Sequence, residues 1–213
     1  MDFIISLDKA IFLFLNGLHS PFFDNFMFNY SEKLVWVGLY IALIFVFVKN
    51  YGKQSLWIII ALILCVTIAD QIASGILKDT VQRLRPSRNP DLEGLVHLVK
   101  DYKGGKYGFA SSHAANSFAL ATLSALFLRN RFFILLIMVW AVINSYSRIY
   151  LGVHYPLDIL AGIFIGAGIS FLLYFIYGKI FKKFQQKTIS NKITLIPACT
   201  WGVTVLLLMI FYV

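Results

Sequence analysis

A chain of 213 residues fits one domain, and at 59% hydrophobic with only 14% charged residues it lies outside the range of ordinary soluble globules. Its net charge of +9 would suit nucleic acid, but the basic residues sit in short connections between long charge-free runs. Membrane topology and anionic lipid explain them better, so the expectation is a polytopic membrane protein with no nucleic-acid partner.

Taken in order, residues 3–18 repeat apolar groups at helical spacing: Phe3, Ile4, Leu7, Ile11, Phe14, Leu15 and Leu18. Asp8 and Lys9 interrupt the run, which predicts an amphipathic helix lying in the interface, with a short first span as the alternative. A cleavable signal is not expected, because the start lacks a basic region followed by a clean apolar core. Residues 19–33 read as a loop turning at Ser20 and Pro21, which completes an N-terminal interfacial segment, 1–33. Spans are predicted at about 34–48, 56–77, 113–129, 132–147, 157–178 and 193–213. The fold class is therefore all-α, a single transmembrane helical bundle over 1–213. Cys65 and Cys199 fall inside apolar runs and read as buried thiols. Within the long connection 78–112, Leu92, Leu95, Val96 and Val99 predict a short interfacial helix, and Gly104 with Gly105 a flexible point.

Charge gives an orientation. Alternate connections, starting at 49–55, carry Lys49, Lys53, Arg129, Arg131, Lys179, Lys182, Lys183, Lys187 and Lys192 and no acid. By the positive-inside rule that side is cytoplasmic. Residues 78–112 and 148–156 then face outward together.

Three segments on that outer side carry candidate chemistry. In the first, Lys78 and Arg85 stand two helical turns apart and share a face if the helix continues to Pro86. Two cations on one face suit a phosphate. In the second, Ser111 or Ser112 is an N-cap for the span at 113, where free backbone N–H groups bind anions. His113 would sit at that anion site, placed to donate a proton to a leaving oxygen. In the third, Pro156 suits the first turn of a helix. His154 then lies just before that helix and Asp158 in its first turns, so the carboxylate can orient the imidazole, with Arg148 as an oxyanion clamp. Each segment alone has a plainer reading: a snorkelling basic span end, a capped helix, or an Arg148–Asp158 salt bridge. Asp70 reads as a structural partner of Lys78 or Arg83. Arg83, Arg88, His97, Lys100, Lys103 and Lys106 read as a solvated face, with a second headgroup contact as the functional alternative, and His19 as a loop residue. Together, three cations, two histidines and one carboxylate on one side of the membrane point to phosphoryl chemistry.

Lys-x6-Arg-Pro, Ser-x-His and Ser-Arg-x5-His-x3-Asp, in this order, resemble the three-part signature of the type 2 phosphatidic acid phosphatase (PAP2) superfamily. One departure is Ala110-Ser111-Ser112-His113 where the family usually has Pro-Ser-Gly-His. The resemblance implies that His154 forms a phosphohistidine with Asp158 holding its ring. His113 is then general acid and afterwards base, while Lys78, Arg85, Arg148 and the Ser111 and Ser112 amides bind the phosphoryl oxygens. It implies no cofactor and no metal: the motifs hold no acidic cluster for magnesium or calcium, and two histidines lack an evident third ligand for zinc. The arrangement of the whole chain resembles bacterial lipid A 4′-phosphatases, and the same signature is shared by undecaprenyl pyrophosphate and phosphatidylglycerophosphate phosphatases. The expectation is a lipid phosphatase of the bacterial inner membrane with its site facing the periplasm. A lipid phosphotransferase would use the same phosphohistidine. A soluble haloperoxidase is opposed by the spans, and a transporter by ionisable groups clustered at span ends.

Overall fold

The computed structural model describes residues 2–182 and 188–211; Lys183 and Lys187, assigned above to the basic side, lie outside the described residues. Among the described residues the fold is helical, and four stretches are long and apolar enough to cross a membrane: Lys33–Val81, Arg131–Tyr150, Pro156–Ile180 and Asn191–Phe211. The first has 49 residues, which as one straight helix would reach about 73 Å, over twice a hydrocarbon core of about 30 Å. Gly52, at φ +54°, breaks it into α3 (Val37–Tyr51) and α4 (Ser55–Asp70), which pack together. A π-helical stretch, Gln71–Ile76, leads from α4 into the short α5 (Leu77–Val81).

The centre of the bundle is α6 (Ser112–Leu128), enclosed by α4, α7 (Arg131–Tyr150) and α8 (Pro156–Ile180). Its residues are small: Ala114, Ala115, Ala119 and Ala121 are fully buried. Gly162 and Gly166 of α8 lie so close to the α6 backbone at Ser111, Ala115 and Ala119 that neither has room for a Cβ. Small residues facing one another let two backbones approach closely in lipid, where association rests on packing. The terminal α9 (Asn191–Phe211) lies mainly against α3. Outward-facing Phe164, Phe171, Phe175, Ile41, Phe45 and Ile63 are exposed, as lipid contact requires. Cys65 is buried, but Cys199 is exposed, which corrects the expectation of two buried thiols.

Two N-terminal expectations change. Residues 19–33 are mostly helix and not loop: α2 (Pro21–Tyr30) is capped by Ser20, whose Oγ accepts from the Phe23 N–H. It meets α1 (Asp2–Asn16) at 113°. The helix over 3–18 is present and amphipathic, but its apolar stripe points outward and Asp8, Phe12 and Asn16, four residues apart, are its buried face. Asp8 does not interrupt the helix; it is the group the helix delivers inward. The expected helix over 92–99 is absent. That stretch is held by 3₁₀ turns at Pro90–Leu92 and Val99–Asp101, which bury Leu92 and Val99 while Leu95 stays exposed.

Candidate active site

The three motifs converge at the end of the bundle where α6 and α8 begin. The helix carrying Lys78 does not continue to Pro86. It stops at Val81, Gln82 takes a left-handed conformation (φ 51°), and the chain runs extended. Leu84 bridges Tyr107 in antiparallel fashion; Arg85 N–H bonds Lys106 O at 3.2 Å and Gly108 N–H bonds Arg83 O at 2.8 Å. Lys78 and Arg85 therefore meet through a turn and an extended segment. Two further backbone bonds close the ring of motifs: Ser87 N–H to Gly152 O (3.0 Å) and Ser111 N–H to Asp158 O (3.0 Å). Ser111 is the N-cap of α6, with Oγ accepting from Ala114 N–H, so Ser112 and His113 form the first turn.

His154 is 1% exposed. Its Nε2 lies 3.3 Å from a terminal nitrogen of Arg85. A guanidinium only donates, so Nε2 must be the unprotonated nitrogen and the proton sits on Nδ1. Nδ1 is 3.4 Å from Asp158 Oδ2, long and not aligned as a hydrogen bond, a near approach of a neutral imidazole N–H to a carboxylate that a small ring rotation would tighten. Asp158 Oδ2 also accepts from Tyr155 N–H (3.0 Å), within the capping box of α8. Burial, then the positive charges of Arg85, Arg148 and Lys78, push the His154 imidazole well below its usual pKa, against a hydrogen bond with the Gly108 backbone. A Cβ at Gly108 would stand 2.9 Å from Asp158 Oδ2, so only glycine lets this segment pass the pair.

Arg85 is buried, with Nε donating to Tyr107 O at 3.0 Å. Gly104, expected as a flexible point, instead abuts this guanidinium: a Cβ there would lie 2.8 Å from it. Arg148, 3% exposed, donates to Tyr102 Oη at 3.1 Å, and its Nε has no partner among the described residues. Lys78 Nζ rests 3.3 Å from Ser74 Oγ, within electrostatic reach of Arg85, Arg148 and Asp158. His113 feels the charges of Arg148, Lys33 and Arg85 and is electrostatically coupled to His154. It also lines a cavity of about 430 Å³ walled by Leu43, Phe47, Leu62 and Leu120, with Lys33 also on its lining. The structure thus brings Lys78, Arg85, Ser111, Ser112, His113, Arg148, His154 and Asp158 together. A lone pair on an oriented imidazole, surrounded by cations with unspent donors, can attack and hold a phosphoryl group.

Sequence reasoning missed Arg83 and Asp8. Arg83 donates to Asp158 Oδ1 (2.9 Å) and to Asp8 Oδ2 (2.6 Å), while its guanidinium lies 4.0 Å over the Tyr155 ring. Asp8 Oδ1 also accepts from Leu157 N–H at 2.9 Å, a free donor at the start of α8. The signal was the alternation Arg83-x-Arg85, which puts both on one side of an extended strand. Asp70 accepts from Asn116 Nδ2 at 2.8 Å and acts on Lys78, one of its two expected partners, through charge and not through a hydrogen bond.

The PAP2 superfamily model matches residues 56–182. The chain is 41% identical over 191 residues to the lipid A 4′-phosphatase of Bacteroides thetaiotaomicron, covering 88% of this chain and 84% of that one. To the lipid A 4′-phosphatase of Porphyromonas gingivalis it is 39% identical, over 83% of this chain and 75% of that one. The crystal structure of Aquifex aeolicus LpxE superposes with a TM-score of 0.63 at 25% identity, over 79% of this chain and 94% of that one.

Proposed function

Since the chain belongs to the PAP2 superfamily and is a membrane phosphoric ester hydrolase, we propose that it removes the 4′-phosphate of lipid A at the outer face of the bacterial inner membrane. The observation that carries the reaction is the contact of His154 Nε2 with Arg85, which leaves the lone pair at the cation cluster and the proton toward Asp158. His154 Nε2 attacks phosphorus in line with the ester oxygen. The P–O bond breaks as the P–N bond forms, and His113, protonated once the phosphate's negative charge offsets the cations around it, gives that proton to the leaving sugar oxygen. Asp158 stabilises the charge that develops on the imidazole. Lys78, Arg85, Arg148 and the Ser112 N–H hold the phosphoryl oxygens throughout; the Ser111 amide expected to join them is instead bonded to Asp158 O at 3.0 Å, so Ser111 contributes as the cap of α6. His113, now deprotonated, takes a proton from water; the hydroxide oxygen bonds phosphorus, the P–N bond breaks, and phosphate leaves.

The lipid assignment rests on the two relatives and on the apolar cavity beside His113, which suits an acyl chain. Purified enzyme should be offered bis-phosphorylated lipid A, undecaprenyl pyrophosphate and phosphatidylglycerophosphate separately, with the products read by mass spectrometry. Loss of one phosphate from the distal sugar of lipid A, with kcat/KM at least tenfold above the other two, is the expected result. Preference for either other lipid overturns the assignment and leaves the reaction class standing.

A further inference from the structure

Where the turn between α1 and α2 meets the connection 78–112 there is a second cluster, of residues that the proposed phosphatase reaction does not use. His19, Asp24 and His97 come from two separate parts of the chain, yet their ligating atoms all lie within 4.8 Å of one another. His97 Nε2 is 2.9 Å from Asp24 Oδ1. The two imidazoles are stacked, with centroids 3.7 Å apart and planes 1° apart.

We propose that His19, Asp24 and His97 form a site for a transition-metal dication, with Zn²⁺ the best fit, that fastens the N-terminal helix pair to the connection 78–112. Two nitrogens and one carboxylate oxygen are a common three-ligand set for zinc, with water in the fourth position. Ligands about 2.0–2.1 Å from one tetrahedral ion stand about 3.3 Å apart, close to the spacing already present between His97 and Asp24. His19 is exposed on a short turn, so rotation about its own side-chain torsions suffices to bring its ring plane onto the ion.

The outer groups are arranged as around a built site. Tyr150 Oη donates to Asp24 Oδ1 at 2.7 Å, which orients the carboxylate and keeps it from turning away. The backbone of His97 is gripped at both ends by Asn16, a buried residue of α1: the His97 N–H bonds Asn16 Oδ1 at 2.8 Å and Asn16 Nδ2 bonds His97 O at 3.1 Å. The same Nδ2 reaches the carbonyls of Ile149 and Tyr150, at 3.2 and 2.8 Å. Such supporting bonds fix ligand orientation and strengthen metal binding.

The test uses the full-length, untagged protein in detergent, stripped with EDTA and dialysed. Zn²⁺ titrated calorimetrically should bind once per chain and raise the midpoint of thermal unfolding. His19→Ala, a change at an exposed side chain, should weaken that binding at least tenfold and remove the thermal shift. Asp24→Asn should weaken it as well. His154→Ala should bind the ion as the native chain does, because its imidazole belongs to the other site. No zinc binding by the native chain overturns the proposal. So does native affinity in His19→Ala, or loss of binding in His154→Ala, which would put the ion among the catalytic histidines.

Discussion

The nitrogen of His154 proposed to attack phosphorus is defined by what touches it. Arg85 on Nε2 and Asp158 toward Nδ1 select one tautomer, so in the proposed reaction the lone pair is in place before substrate arrives. His154→Ala is expected to abolish phosphate release while the protein stays folded, and wild-type turnover in that variant would remove the assignment. Asp158→Asn leaves a group that cannot stabilise the imidazolium, and a loss on the order of 10⁴ in kcat is expected, as for the carboxylate of a serine-protease triad. Burial and three neighbouring cations also make a prediction about stability. His154 resists protonation in the folded state while the unfolded chain titrates near the ordinary value of 6.5. Below that pH the unfolded state binds the extra proton, so folding stability falls as pH falls, and rises again with pH up to about 6.5. Chemical denaturation followed between pH 5 and 7 should show this slope in the native chain and a shallower one in His154→Ala. Equal slopes would mean that the histidine is not held neutral.

At the scale of elements, what could be read in the sequence followed from periodicity, and what could not followed from context. The long apolar runs became helices, and Ser111 and Pro156 mark the starts of α6 and α8 because a cap and a fixed φ act locally. The eight candidate residues, which the structure brings together, could be named because three motifs carry them. The path between Lys78 and Arg85 was not, since a helical period and an extended alternation both bring them to one side, and only the pairing of Leu84 with Tyr107 decides. The inward face of α1 was hidden for a different reason. In water its apolar stripe would be buried; against lipid the stripe faces out and the carboxylate of Asp8 goes in. There it joins α1 to the site by way of Arg83, which binds Asp8 and Asp158 at once. Asp8 lies outside the stretch matched by the family model, 56–182. Asp8→Asn leaves Arg83 with one buried carboxylate instead of two, and a broken buried pair costs about 3–5 kcal/mol. The expected outcome is a lower unfolding midpoint together with a fall in kcat larger than any change in KM, because Asp158 loses the far anchor of its partner. An unchanged kcat in a destabilised Asp8→Asn protein would confine α1 to a structural part.

Over the whole molecule, the orientation proposed for the site rests on the distribution of charge. The connections at 49–55 and 129–131 and the described ends of 179–192 carry lysines and arginines without a single acid. The opposite end of the bundle gathers Asp8, Asp24, Asp91, Glu93, Asp101 and Asp158 around its cations, with Lys9 paired to Asp91 and Arg83 to Asp8 and Asp158. A bias of this kind sets orientation during insertion, and it supports the proposed orientation, with the phosphate site reached from the outer leaflet. Helix α8 connects the two ends: Asp158 stands in its first turn and Lys179 in its last, and its 25 residues span about 37 Å, enough to cross the hydrocarbon core with some tilt. The two faces can be told apart with single cysteines in a chain whose Cys65 and Cys199 have been replaced by alanine. Lys103, beside the phosphate site, and Lys53, in the turn between α3 and α4, are suitable because both are exposed. In intact spheroplasts a membrane-impermeant maleimide should label Lys103→Cys and leave Lys53→Cys unmodified until the membrane is opened. The reverse pattern would turn the molecule over, moving the site to the cytoplasmic leaflet and with it the population of lipid phosphates it can reach.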